Sequence, residues 1–179
     1  TIRKIKLEVS QMGIVESTYA ELKQQELKNN PYSCLHMADI DINPHQIEAF
    51  TFALSSLELG GAILADEVGL GKTIEAGLVI KYLLCSGKNK ILLIMPSNLR
   101  KQWQVELEEK FDIDSLIVDS SNWEDYLAKV KSKQAVIIVS YHFASKRKTE
   151  FRKIAWDFCV FDEAHRLRNV YKNGSKMAN

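Results

Sequence analysis

No uninterrupted apolar run in this 179-residue chain approaches the roughly 20 residues that cross a bilayer; the longest lie near Ile91–Met95 and Ala135–Val139. No basic-then-apolar stretch at the N-terminus resembles a signal peptide. Cysteine is scarce. Cys34, Cys85 and Cys159 lie far apart with no CxxC or CxxH spacing, which argues against a disulfide framework and a cysteine zinc site and fits a reducing compartment. Each is expected to be a small buried hydrophobe. The histidines, His36, His45, His142 and His165, show no HxxxH or HxH spacing either, so no zinc is expected. Net charge is nearly absent, with 24 Lys plus Arg against 23 Asp plus Glu. There is no internal repeat and no low-complexity tract.

With 46% hydrophobic and 26% charged residues, the composition is that of an ordinary globular protein rather than a disordered one. Length predicts one domain with a small appendage, able to bury about 70% of its unfolded surface. The expectation is a soluble, intracellular chain with no membrane association. The balanced charge hides an asymmetry, because Lys146–Lys176 holds nine Lys/Arg and four Asp/Glu. On charge alone that segment reads either as solvated helix faces or as a basic track.

Near the N-terminus, Ile5, Leu7 and Val9 alternate with charged residues and read as a short strand. A polar helix is predicted over Glu16–Lys28, stopped by Asn29-Asn30-Pro31. Residues 1–42 carry no recognisable chemistry and are assigned to an appendage or the end of a preceding domain. A regular pattern then occupies residues 43–179. Asn43-Pro44 pairs an N-cap with a proline at the first helical position. Strands are predicted at Gly61–Ala65, Lys90–Met95, Ser115–Val118, Ala135–Val139 and Asp157–Phe161. Helices are predicted at Thr73–Cys85, Asn98–Lys110, Asn122–Ser132 and His142–Lys153. Leu99, Trp103 and Leu107 recur every fourth residue, while Trp123, Tyr126, Leu127 and Val130 follow i, i+3, i+4, i+7. The tryptophans are read as core anchors. This alternation predicts an α/β fold with a mainly parallel sheet, helices on both faces, and ligands bound beyond the carboxyl ends of the strands.

Two of the strand-end loops carry chemistry. Asp66-Glu67-Val68-Gly69-Leu70-Gly71-Lys72-Thr73 holds the core of a phosphate loop, although Asp66 stands where GxxxxGK[ST] has its first glycine. Gly69 and Gly71 let the backbone curl its N–H groups toward phosphates, and the helix N-terminus behind adds its dipole. Lys72 would reach the β- and γ-phosphates, and the Thr73 hydroxyl would ligate Mg²⁺. Asp162-Glu163-Ala164-His165 follows another apolar strand. There Asp162 would hold Mg²⁺ and Glu163 would polarise the attacking water. The two loops together point to hydrolysis of a nucleoside triphosphate.

These two segments, the second extended through Arg166-Leu167-Arg168-Asn169, resemble motifs I and II of the SWI/SNF-type ATPases of helicase superfamily 2. The aspartate that departs from the generic phosphate loop is what that family shows. Continuation as Ile74-Glu75-Ala76-Gly77 is similar to the bacterial branch, including RNA-polymerase-associated ATPases. Pro44-His45-Gln46 resembles the family's adenine-recognising glutamine motif, Pro96–Trp103 its motif Ia and Ser140-Tyr141 its motif Ib. The resemblance spans roughly Asn43 to Asn179.

It implies a RecA-like P-loop lobe that binds ATP with Mg²⁺, its acid loop being the family's DEAH box. Gln46, alone readable as an ordinary first-turn polar residue, would pair its amide with the adenine edge. Ser97 and Ser140 would grip nucleic-acid phosphates, giving affinity without sequence reading. Lys146, Arg147 and Lys148 either extend that track or form a plain solvated face. His165 would couple the nucleotide and nucleic-acid sites. The implied whole is a DNA-dependent ATPase that translocates on duplex DNA in a bacterial cytoplasm, associated with the nucleoid. Two other readings stay open: a strand-separating helicase or restriction-type translocase, and a nucleotide-gated module that docks a partner such as RNA polymerase. The family's motif III and second lobe, with its arginine finger, lie outside these 179 residues. Alone, the chain is expected to hydrolyse little.

Overall fold

In the computed structural model the described residues are 30, 31, 33, 42–65, 71–130 and 135–167. Apart from residues 30, 31, 33 and 42, the segment 1–42 lies outside them, and with it the expected strand at 5–9 and helix at 16–28.

The chain alternates as its apolar pattern dictates. Helix α1 (Pro44–Ser56) leads into a short 3₁₀ turn (Leu57–Leu59), then come α2 (Lys72–Cys85), β1 (Lys90–Met95), α3 (Arg100–Phe111) and β2 (Ser115–Ile117). Helix α4 (Trp123–Val130), β3 (Ala135–Ser140), α5 (Tyr141–Lys146), α6 (Lys148–Phe151) and β4 (Phe158–Phe161) follow, with a final 3₁₀ turn at Ala164–Leu167. Among the described residues four strands pair in parallel in the order β2-β3-β1-β4. The central strands β1 and β3 are the near-continuous aliphatic runs that a sheet covered on both faces requires.

Successive side chains leave a strand on opposite faces, and the two cores divide accordingly. Ile91, Leu93, Met95, Val136 and Ile138 meet α1, α2 and α3 through Phe50, Leu78, Trp103, Leu107 and Phe111. Leu92, Ile94, Ile137 and Val139 meet the other three helices through Trp123, Tyr126, Tyr141, Phe143 and Phe151. The aromatic side is tightly nested, with the Trp123 ring 5.0 Å from Phe151 and 5.5 Å from Phe143. Trp103 and Trp123 are core residues, as the periodicity predicts. Asp157 ties the start of β4 to β1. Its carboxylate accepts the N–H groups of Asn89 and Lys90, each at 3.0 Å, and faces Lys88. Partial burial would raise its pKa, but those donors and the Lys88 charge outweigh it and hold the carboxyl below its ordinary range.

Three expectations are corrected. Gly61–Ala65 is not a strand. Gly60 and Gly61 both take positive φ, 102° and 134°, and Ile63 stays 85% exposed. With only Ile63 and Leu64 as large apolar groups, this stretch buries too little to offset the entropy of ordering a strand. The single helix expected over His142–Lys153 is two short ones broken at Arg147 (φ −111°). Cys159 is exposed rather than buried, because β4 is an edge strand among the described residues, as the 47% exposure of Phe161 also shows.

Candidate functional site

The loops that follow β1, β3 and β4 leave the same edge of the sheet, since the three strands are parallel neighbours. Ser97 lies in the first of them, Ser140 is the last residue of β3 itself, and the pair Asp162–Glu163 follows β4.

The acid loop is the most constrained of them. Asp162 N–H donates to the Ile94 carbonyl, continuing the β1–β4 ladder by one residue. Its carboxylate is held at both oxygens: Oδ1 accepts the Glu163 N–H at 2.8 Å, and Oδ2 accepts the Trp103 indole N–H at 2.9 Å. The Tyr141 hydroxyl donates to the Asp162 carbonyl at 2.8 Å. Glu163 has φ 55°, in the left-handed region. That conformation costs a non-glycine residue about 1–2 kcal/mol, and the hydrogen bond from its N–H to Asp162 helps to offset it. The turn swings the Glu163 side chain outward, where Oε2 lies 2.9 Å from His165 Nδ1, both groups about half exposed.

On the helix side, Gly71 caps α2 with φ 88°, and Lys72 and Thr73 open the helix. Residues 66–70, which include Gly69, lie outside the described residues. Gln46 is 2% exposed, and its Oε1 accepts the Asn43 N–H at 3.0 Å in a capping box. Its Nε2 faces the Gly71 turn so closely that a Cβ at Gly71 would sit 2.7 Å away. The structure thus brings Gln46 against the end of the phosphate-loop segment.

Of the residues assigned to nucleic acid, Ser97 is exposed and its carbonyl accepts from Arg100 Nε at 3.3 Å. Ser140 caps α5, its Oγ accepting the Phe143 N–H at 3.1 Å, which leaves the hydroxyl proton available to donate. Lys146 and Lys148 are exposed. Arg147 is drawn inward, 3.0 Å from Glu150 and stacked 5.7 Å from the Trp123 ring centroid. A cleft of about 520 Å³ between β4, α5 and α6, lined by Ile94, Tyr141, Phe151, Phe161 and Leu167 among others, is mainly apolar and does not include the acid pair.

The hydrogen bonds of Trp103 and Tyr141 to Asp162 were not foreseen from sequence. Periodicity assigns a tryptophan to a buried face, but only folding brings partners 59 and 21 residues distant to its N–H or to a tyrosine hydroxyl.

Residues 45–179 match the SNF2-related domain. The chain belongs to the SNF2-related family. Its members are helicase-like ATPases of superfamily 2, and the parallel sheet clad by helices is their RecA-like α/β fold. The chain is 34% identical over 151 residues to the RNA polymerase-associated protein RapA of Yersinia enterocolitica. It is 33% identical over 153 residues to RapA of Serratia proteamaculans. In both cases 80% of this chain is covered, and the chain spans 16% of the relative's length. The SWI2/SNF2 ATPase core of Sulfolobus solfataricus, solved in complex with dsDNA, superposes with a TM-score of 0.67 over 76% of this chain and 29% of that one. At 24% identity that SNF2 likeness is one of fold. Among the described residues no helix is long and apolar enough to cross a membrane.

Proposed function

We propose that this SNF2-related lobe binds ATP with Mg²⁺ and supplies the acid pair of a DNA-dependent ATPase that translocates on duplex DNA. The observation that carries the reading is the acid loop, with the Asp162 carboxylate fixed at both oxygens and Glu163 turned outward beside it.

The donor set suits Mg²⁺, which prefers hard oxygens and is held by one or two carboxylates plus phosphates and water rather than by an all-protein cage. Asp162 and the Thr73 hydroxyl would hold the ion, which when bound neutralises charge on the β- and γ-phosphates. Lys72, opening α2, would pair with the same phosphates, and the N–H groups at that helix start add their dipole. Gly69 and Gly71 would let the backbone approach, while Gln46, its Oε1 already accepting the Asn43 N–H, would support the Gly71 turn and turn its Nε2 side toward the base. Glu163 would accept a proton from the attacking water, and His165, paired with it, would relay the state of the nucleic-acid site. Ser97 and Ser140 would contact phosphates of the DNA, with Lys146 and Lys148 adding charge beside them and Arg147 contributing from its inward position.

The arginine finger would come from a second lobe beyond these residues, and its absence costs about 10³–10⁵ in rate. Alone, the lobe would therefore bind nucleotide and turn over little. The names of the RapA relatives support RNA polymerase as a further partner and, with it, a bacterial cytoplasmic setting; placement at the nucleoid would follow from binding duplex DNA.

The test is nucleotide affinity in the full-length protein. Lys72→Ala is expected to weaken binding of a fluorescent, non-hydrolysable ATP analogue at least tenfold, the scale of a charge-assisted contact to phosphate. Unchanged affinity would refute the nucleotide site.

A further inference from the structure

We infer that Trp103 is a positioning residue for Asp162, fixing the carboxylate in the orientation that serves the nucleotide's metal ion, with Tyr141 securing the backbone behind it. The inference rests on the ATP reading above and concerns two residues outside the phosphate and acid motifs.

Trp103 lies in the first half of α3 and is 4% exposed, packed in the core with Leu107 and Phe111. An indole has one donor and no acceptor, and a buried one is expected to find a partner. A neutral carbonyl would suffice for that purpose. Here the N–H goes instead to Asp162 Oδ2 at 2.9 Å.

The geometry of the pair follows from where its donors stand. The Glu163 N–H approaches Oδ1 from the adjoining peptide, and Trp103 approaches Oδ2 from a different element. Two donors on different oxygens remove the rotation that a surface aspartate keeps. Each oxygen retains lone-pair capacity for a hard cation or its water. The Tyr141 hydroxyl, on a ring only 6% exposed, fixes the Asp162 carbonyl at 2.8 Å, so the main chain that bears the carboxylate is held as well.

If Trp103 were only a core residue, losing its N–H would lower stability and leave metal use alone. Trp103→Phe separates the two cases, because it keeps an aromatic ring in the core and deletes the donor. The probe is a fluorescent, non-hydrolysable ATP analogue titrated into the full-length protein with excess Mg²⁺ and again with a chelator.

For the wild type, Mg²⁺ should tighten binding. For Trp103→Phe, the metal-free affinity should stay within about twofold, while the gain on adding Mg²⁺ falls about tenfold, as expected for one hydrogen bond to a charged group. Tyr141→Phe should shift the Mg²⁺ gain the same way by about threefold, the scale of a neutral hydrogen bond. If Trp103→Phe does not fold, Tyr141→Phe decides, and an unchanged gain overturns the inference. A folded Trp103→Phe with the wild-type gain, or a wild type with no gain, also overturns it. Lys72→Ala separates the two levels. If it loses the nucleotide while Trp103→Phe keeps the Mg²⁺ gain, only this inference falls. If Lys72→Ala binds as well as wild type, the ATP reading falls with it.

Discussion

Glu163→Gln in the full-length protein should lower the rate of ATP hydrolysis about 10²–10⁴-fold, the usual contribution of a positioned general base. The substitution keeps size and hydrogen-bonding reach and removes only the basic oxygen. Nucleotide affinity should stay within about twofold of wild type, because Glu163 acts on the water and not on the phosphates. The backbone should be indifferent, since φ 55° at this position is strained for glutamine and glutamate alike. The measurement is steady-state phosphate release beside equilibrium nucleotide binding. A rate near wild type would remove Glu163 from the chemistry and make His165, 2.9 Å from it, the next candidate base.

The largest stability effect is expected where α2 crosses α3. Gly77 faces the Phe111 ring, and a Cβ there would lie 2.3 Å from ring atom Cε2 and 2.5 Å from Cζ. Phe111 is fully buried and its carbonyl accepts the Lys81 ammonium at 2.6 Å, so neither ring nor backbone can readily retreat. Gly77→Ala should therefore cost about 2–3 kcal/mol through overpacking, despite the helix propensity alanine gains. Urea denaturation should show a lower midpoint with an unchanged slope. Trimming the ring makes room for the methyl. Gly77→Ala combined with Phe111→Leu should thus cost less than the sum of the two single changes. A Gly77→Ala protein as stable as wild type would mean that the helices do not approach this closely.

The sheet is readable because its central strands are aliphatic runs of β-branched and leucine residues. The start of α1 is readable from Asn43-Pro44, and the backbone freedom at Gly71 from the glycine, whereas its αL cap of α2 is a finding of the structure. What stayed hidden depends on partners far along the chain. The break at Arg147 has no proline or glycine to mark it, and it accompanies the seating of the arginine between Trp123 and Glu150. Gly61–Ala65 reads as a strand by composition, yet whether an apolar run pairs is decided by what lies beside it. The acid pair was evident as residue types, whereas the left-handed turn at Glu163 and the donors on Asp162 are products of the fold. Gln46 reads by residue type as an amide for the base. Its capping of Asn43 was legible in the Asn43-x-x-Gln46 spacing, the same logic as a capping box.

As proposed, this lobe would belong to a motor driven by duplex DNA. The direct measurement is ATP hydrolysis by the full-length protein as duplex DNA is titrated in at fixed salt. A DNA-driven motor should show little turnover without DNA and a saturable rise of at least tenfold with it, insensitive to base sequence because phosphates carry the contact. Hydrolysis of equal rate with and without duplex would contradict the motor and make RNA polymerase the partner to test.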